Sequence, residues 1–213
     1  MSGGKALRHA ALALCFLGAL SSAGHAQQAD TVIAVLETSL GTIEVEVDVA
    51  SAPLSAASFL AFLDSGRFNG GGFYRVVRPD NDNGAPVISV IQGGVLDNTT
   101  ITARDRVAHE TTEHTGIRHT DGVISLARGE PGTGTGGTFF ICLGPQPGLD
   151  FGAGRNADRQ GFAAFGRVRS GMEVVRAINA MTRTQAGTDP YVKGQILAEP
   201  VMITGAYRKA SQR

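Results

Sequence analysis

Between Thr31 and Thr204 the apolar residues come in about eight short runs of β character, each closed by glycine, proline, asparagine or aspartate. Only two stretches repeat at helical spacing. The runs cover 31–37, 42–48, 72–77, 87–92, 122–127, 138–143, 161–168 and 200–204. The clearest is 42–48, where Ile43, Val45 and Val47 alternate with Glu44, Glu46 and Asp48, giving one dry face and one wet face. The preceding run is almost wholly apolar, and Ser39-Leu40-Gly41 turns the two into a hairpin. Many short strands leave many unpaired edges, and closing the sheet on itself removes them. The pattern therefore predicts a mainly β chain: a closed eight-stranded antiparallel barrel capped by two α-helices.

The first helix opens at Ser51-Ala52-Pro53, with Ser51 as candidate cap and Pro53 in the first turn. Ala56, Phe59, Leu60 and Leu63 form its apolar face, and Gly66 ends it. The second follows Ser170-Gly171-Met172-Glu173, a capping-box pattern, and carries Val174, Val175 and Ile178. Residues 95–120 show little periodicity and read as a long surface excursion holding His109, His114 and His119. Steps of five do not align ligands on a helix face and no cysteine is near, so solvated or backbone-bonded histidines are expected, and no metal. The glycine-rich loop 128–137 has no lysine and spells no phosphate-binding loop. No Ser-His-Asp motif marks a hydrolase.

Residues 1–26 read as a secretory leader. Lys5 and Arg8 precede an apolar run over 10–20, and small Gly24 and Ala26 precede a cleavage point. The run is too short for a permanent anchor. Leu14 before Cys15 is too large for lipoprotein processing. Residues 27–30 form a linker, 31–205 the folded domain and 206–213 a tail. A periplasmic or secreted location follows, with no membrane contact after leader removal. Over the 213 residues 19 basic groups balance 19 acidic ones, which offers nucleic acid no footprint. Cleavage removes Lys5 and Arg8 and no acid, leaving 17 basic to 19 acidic residues, a charge of −2. It also leaves one cysteine, Cys142, in an apolar run. No internal disulfide is possible, and Cys142 reads as a small buried hydrophobe.

Two glycine-bounded stretches carry the chemistry. Phe73-Tyr74-Arg75-Val76-Val77 and Ile91-Gln92-Gly93-Gly94 set one arginine and one glutamine among apolar neighbours, and Phe139-Phe140-Ile141 supplies paired aromatics. By the two-residue period Phe139 faces the core and Phe140 the opposite side. If the stretches meet, they make an apolar groove with one cation and one amide but no nucleophile. Such a site suits a peptide that is held and polarised without bond cleavage.

These segments, with Gly41-Thr42-Ile43, Ala52-Pro53, Ser125-Leu126-Ala127-Arg128, Leu149-Asp150 and Ala164-Phe165-Gly166-Arg167-Val168, stand in the order found in cyclophilins, and the chain resembles that family of peptidyl-prolyl cis-trans isomerases over roughly 31–205. The resemblance implies Arg75 as catalytic arginine, Gln92 as active-site glutamine and Phe140 beneath the proline ring. It implies Ala127 and Arg128 as the pair that bonds the substrate backbone, and Leu149 and Phe162 as pocket wall. It implies no cofactor, proline-containing polypeptide clients and a monomer. The activity expected is faster rotation of X-Pro bonds during folding of exported proteins; the alternative is a non-catalytic peptide-binding or chaperone module on the same barrel. Four places depart from the family. The segment 78–90 is longer and sets Ser89 and Val90 where a phenylalanine and a methionine are usual. Gly148 replaces a large aromatic, Phe162 a histidine or tyrosine, and Thr138 a glutamine.

Overall fold

The computed structural model describes Met1 and residues 30–184 and 189–210. Apart from Met1, the expected leader and most of the linker lie outside the described residues. Among the described residues eight strands form: β1 (Thr31–Thr38), β2 (Gly41–Asp48), β3 (Gly72–Val77), β4 (Val90–Gly94), β5 (Val123–Leu126), β6 (Thr138–Cys142), β7 (Ala163–Ser170) and β8 (Ile196–Arg208). They close into one antiparallel barrel in the order β1-β2-β7-β5-β6-β4-β3-β8, with β8 returning to β1. Helices α1 (Pro53–Asp64) and α3 (Met172–Asn179) pack on it, and a single turn, α2 (Thr112–Thr115), lies between β4 and β5.

The core forms as the alternation predicts. Ile43, Val45 and Val47 are fully buried, while Glu44, Glu46 and Asp48 are half-exposed. Phe59 of α1 enters the barrel and meets Phe68, Phe139 and Phe165 at ring-centroid distances of 5.3, 5.4 and 5.1 Å. Each such ring contributes about 1.5–3 kcal/mol by leaving water. Val175 and Ile178 of α3 join the same cluster. A second, smaller apolar cluster lies on the other side of the sheet: Val77, Ile88, Val90, Phe140, Cys142 and Leu149. Neighbouring residues Phe139 and Phe140 thus belong to different compartments.

Several local expectations are corrected. Ser51 does not cap α1: its backbone N–H goes to Asp48 Oδ1, and the N-cap position falls to Ala52, whose side chain makes no capping bond. The Glu110 carboxylate caps the helix from a distance. It accepts from the N–H of Leu54 (3.1 Å) and Ser55 (2.7 Å) and from Ser55 Oγ (2.6 Å). An anion there satisfies orphan donors and suits the helix dipole. Residues 95–120 are therefore no mere surface excursion, since Glu110, Thr112 and His119 are all buried. The capping box before α3 is absent, because Ser170 is held in β7 opposite Glu44. Gly171 takes the N-cap at φ +95°, where a Cβ would lie 2.3 Å from Thr42 O. Strand β4 starts at Val90 rather than 87. The N–H of Ile88 is held by Asp82 Oδ2 and that of Ser89 by Gln146 Oε1, so neither joins the ladder. Strand β8 runs to Arg208, past the domain boundary drawn at 205.

Candidate active site

Strand register builds the site. Arg75 of β3 pairs with Gln92 of β4, Gln92 with Phe140 of β6, and Phe140 with Ser125 of β5. Directly opposed residues share a face, so these four stand in one row across the outside of the barrel. A register shift between Phe73 and Arg75 inserts Tyr74 as an extra residue. Such a bulge re-aims the side chains that follow it. Ala127 and Arg128 lie just past β5, Leu149 in a short 3-10 turn, and Phe162 just before β7, its N–H bonded to Leu149 O at 3.0 Å.

All seven residues named from the sequence, Arg75, Gln92, Ala127, Arg128, Phe140, Leu149 and Phe162, line one cavity of about 90 Å³. Val77, Ile88, Val90 and Tyr191 complete its wall. A roomier cavity of about 530 Å³ includes Arg78, Arg183 and Lys193, but it is polar and holds none of the seven. Among the described residues no group of three or more His, Cys, Asp or Glu side chains is placed to hold a metal ion.

The guanidinium of Arg75 is fixed from two sides. Nη1 donates to Gln92 Oε1 at 2.8 Å, and Nε and Nη2 donate to Gln195 Oε1 at 2.9 and 2.6 Å. Gln92 Nε2 donates in turn to Tyr74 Oη, and Gln195 Nε2 to Asn81 O. Burial pulls the Arg75 pKa below its ordinary value, opposed by Tyr191 and Tyr74. A guanidinium so placed stays charged at neutral pH, and its field is stronger for the loss of water around it.

The floor is Phe140. Phe162 meets it edge-on (5.2 Å, 89°), and His119 stacks beneath it (6.0 Å, 17°). His119 is buried, contrary to the solvated or backbone-bonded reading. Its Nδ1 lies 2.8 Å from Asp150 Oδ1 and its Nε2 3.2 Å from Ser125 Oγ. Burial pushes the Asp150 pKa up, but the bonds from His119 outweigh this and bring it below the ordinary value. Ser, His and Asp do meet in space here, though sealed: Ser125 is 0% and His119 2% exposed. A nucleophile needs access, so this chain of bonds is a foundation for Phe140 and no hydrolytic triad. His109 does bond to backbone, at Gln160 O. Cys142 is buried, and burial raises its thiol pKa.

A family model described as cyclophilin type peptidyl-prolyl cis-trans isomerase/CLD matches residues 33–204. This chain belongs to the cyclophilin-type peptidyl-prolyl cis-trans isomerases. A relative from Dickeya dadantii, peptidyl-prolyl cis-trans isomerase A, is 31% identical over 81% of this chain and 82% of its own. A peptidyl-prolyl cis-trans isomerase from Acinetobacter baylyi is 31% identical over 79% and 82%. A solved cyclophilin type isomerase from Cryptosporidium parvum has the same fold, with a TM-score of 0.61, 18% identity and coverage of 85% of this chain and 99% of that one. Another structure of that protein was obtained in the presence of the dipeptide Ala-Pro, with a TM-score of 0.60.

This cyclophilin rebuilds its pocket wall with the long 78–90 segment. Gly148, where an aromatic is usual, has no room for one: a Cβ would lie 2.4 Å from Pro86 Cγ. Ile88 and Val90 line the cavity, and Ser89 does not. The segment is clamped by Asp82, whose two oxygens accept from Arg155 Nη2 and Nη1 at 2.8 and 2.7 Å. Arg128 lines the cavity with its guanidinium committed to Asp158 (2.8 and 2.9 Å) and Gly161 O (2.8 Å). Sequence reasoning missed Gln195 and Tyr191. Both lie in a segment without strand or helix periodicity, and neither type signals a site by itself.

Proposed function

We propose that this isomerase is exported and speeds X-Pro rotation in folding envelope or secreted proteins, acting as a monomer with Arg75 as its catalytic residue. An X-Pro amide crosses a barrier of about 18–20 kcal/mol and takes tens to hundreds of seconds unaided. At the top the C–N bond is twisted, resonance is lost and the nitrogen lone pair localises. A guanidinium beside that nitrogen can donate to it only then, which lowers the barrier without tightening the ground state. A 1,000-fold acceleration needs about 4 kcal/mol.

The observation that carries this reading is one cation pinned at the rim of a small apolar cavity. Three of the five N–H groups of Arg75 are held by Gln92 and Gln195, which fixes the guanidinium in place. The cavity measures about 90 Å³. Phe140, Leu149 and Phe162 grip the ring and exclude water, while the backbone at Ala127 and Arg128 holds the chain. The case for a non-catalytic module rested on Ser89, Val90 and Gly148 weakening the wall. Ile88 joins Val90 in lining the cavity, and Pro86 fills the space beside Gly148. Export is supported by the basic and apolar pattern of residues 1–26; among the described residues no helix is long and apolar enough to cross a membrane.

Exchange spectroscopy on one proline peptide, without a coupling protease, tests the assignment. Arg75→Ala should abolish the acceleration while the barrel stays folded; an unchanged rate defeats the role given to Arg75. Mass measurement on protein from the cell envelope fraction should find a chain beginning at Gln27, and an intact Met1 end there refutes cleavage.

A further inference from the structure

Tyr191 sits between two arginines. Its ring centroid is 5.1 Å from Arg75 Cζ and 5.5 Å from Arg155 Cζ, and its hydroxyl accepts from Arg155 Nη2 at 3.0 Å. Arg155 cannot yield, because its side chain is 1% exposed and forked onto Asp82, itself 0% exposed. Nη1 also donates to Pro86 O at 2.9 Å, and a Cβ on Gly84 would lie 2.6 Å from Arg155 Cζ. The backbone of Tyr191 is held too, its N–H by Asp189 Oδ1 (2.8 Å) and its carbonyl by Asn83 Nδ2 (3.3 Å). Yet the residue is 42% exposed and lines the cavity beside Arg75. An aromatic ring tethered at both ends and open on one side is pre-organised for contact.

We propose that Tyr191 is a specificity-determining residue that reads the side chain directly after the proline and favours an aromatic there. The proposal rests on the function proposed above and on one further premise, that the Arg75 guanidinium also holds the carbonyl of the bound proline. That carbonyl begins the peptide unit leading to the next residue, whose Cα is about 3.8 Å from that of proline. With the proline ring on Phe140, the next residue therefore starts beside Arg75, where Tyr191 stands. The neighbouring charge is selective as well. Arg155 is neutralised by Asp82, so Arg75 acts as the uncompensated cation and disfavours lysine or arginine at the same place. A ring laid on the Tyr191 ring makes an offset or edge contact, which separates aromatic from glycine by about two- to twelvefold.

The test compares kcat/KM on peptides that differ only after the proline, with Phe, Leu, Gly or Lys in that place. The expected order for the natural chain is Phe, Leu, Gly, Lys. In Tyr191→Ala the Phe-to-Gly ratio should fall to near unity, and in Tyr191→Phe, which keeps the ring, it should persist. An equal loss on all four peptides overturns the proposal, since that is what mere support of Arg75 predicts. A natural chain without preference, or an Ala variant with an unchanged ratio, overturns it too. A measurement free of variants is the magnetisation transfer between the peptide Phe ring and Tyr191 in the bound state; its absence in a complex that still contacts Phe140 has the same meaning. Failure of Arg75 itself is seen separately, as full activity in Arg75→Ala.

Discussion

Gln195→Leu separates a positioned cation from a merely present one. Gln195 is fully buried and accepts two of the three bonds that fix the Arg75 guanidinium, while Gln92 accepts one. Leucine fills similar space but accepts nothing. A hydrogen bond to a charged group is worth about 1.5–3 kcal/mol. Loss of one such bond's worth of positioning lowers the rate about 10- to 150-fold. Under the role proposed for Arg75 the loss belongs in kcat more than in KM, because the guanidinium would bond the twisted imide more tightly than the planar one. Gln92→Leu should cost less than Gln195→Leu. Gln195→Glu keeps acceptors at the same distance but neutralises the cation, so kcat should fall although Arg75 stays put. Exchange rates measured over a range of peptide concentrations give kcat and KM for all three variants. The reasoning fails if Gln195→Leu stays within about threefold of the natural chain, or if Gln92→Leu is the more damaging change.

Asp82→Ala leaves Arg155 buried without its counter-ion and should lower unfolding stability by about 3–5 kcal/mol, read from urea midpoints; a loss near zero means the clasp is not formed in solution. Gly148→Trp must displace Pro86, so it should cost about 1–3 kcal/mol and raise KM rather than restore a family-like pocket. Acid should weaken the floor of the site. The Asp150 pKa lies below its ordinary 3.8 in the folded chain, so its contribution is complete above that value and fades as pH falls through the lower folded one. Asp82 behaves likewise, since bonds from Arg155, Gly84 and Ile88 outweigh the opposing effect of burial. Unfolding midpoints measured downward from pH 5 should therefore drop below about pH 3.8, and a flat profile there refutes both assignments.

The barrel was legible because its rules are local. Alternation in β2 and glycine punctuation throughout survive in the structure with small boundary shifts. Phe139 and Phe140 could be sorted by period alone, and register then aligned Arg75, Gln92 and Phe140. What escaped was set by distance along the chain. Glu110 caps a helix 55 residues away, Asp82 meets Arg155 across 73, and Gln195 reaches Arg75 across 120. A buried glutamine carries no periodic signal, and a carboxylate in a turn-rich segment looks like any solvated acid. The capping-box motif misled for the converse reason: its serine already belonged to a strand whose pairing outweighs a local side-chain bond.

The two phenylalanines on opposite sides of β6 have a consequence for how such a protein can change. A wall one strand thick divides a load of packed rings inside from a working surface outside. Heat resistance can then be tuned by refilling the interior around Phe59 and Phe165 while turnover stays as it was. Preference among proline-containing peptides can drift through the outer loops without loosening the frame. Adaptation to a hotter habitat and adaptation to a new set of peptides are, in this architecture, separate histories written on the two faces of one sheet.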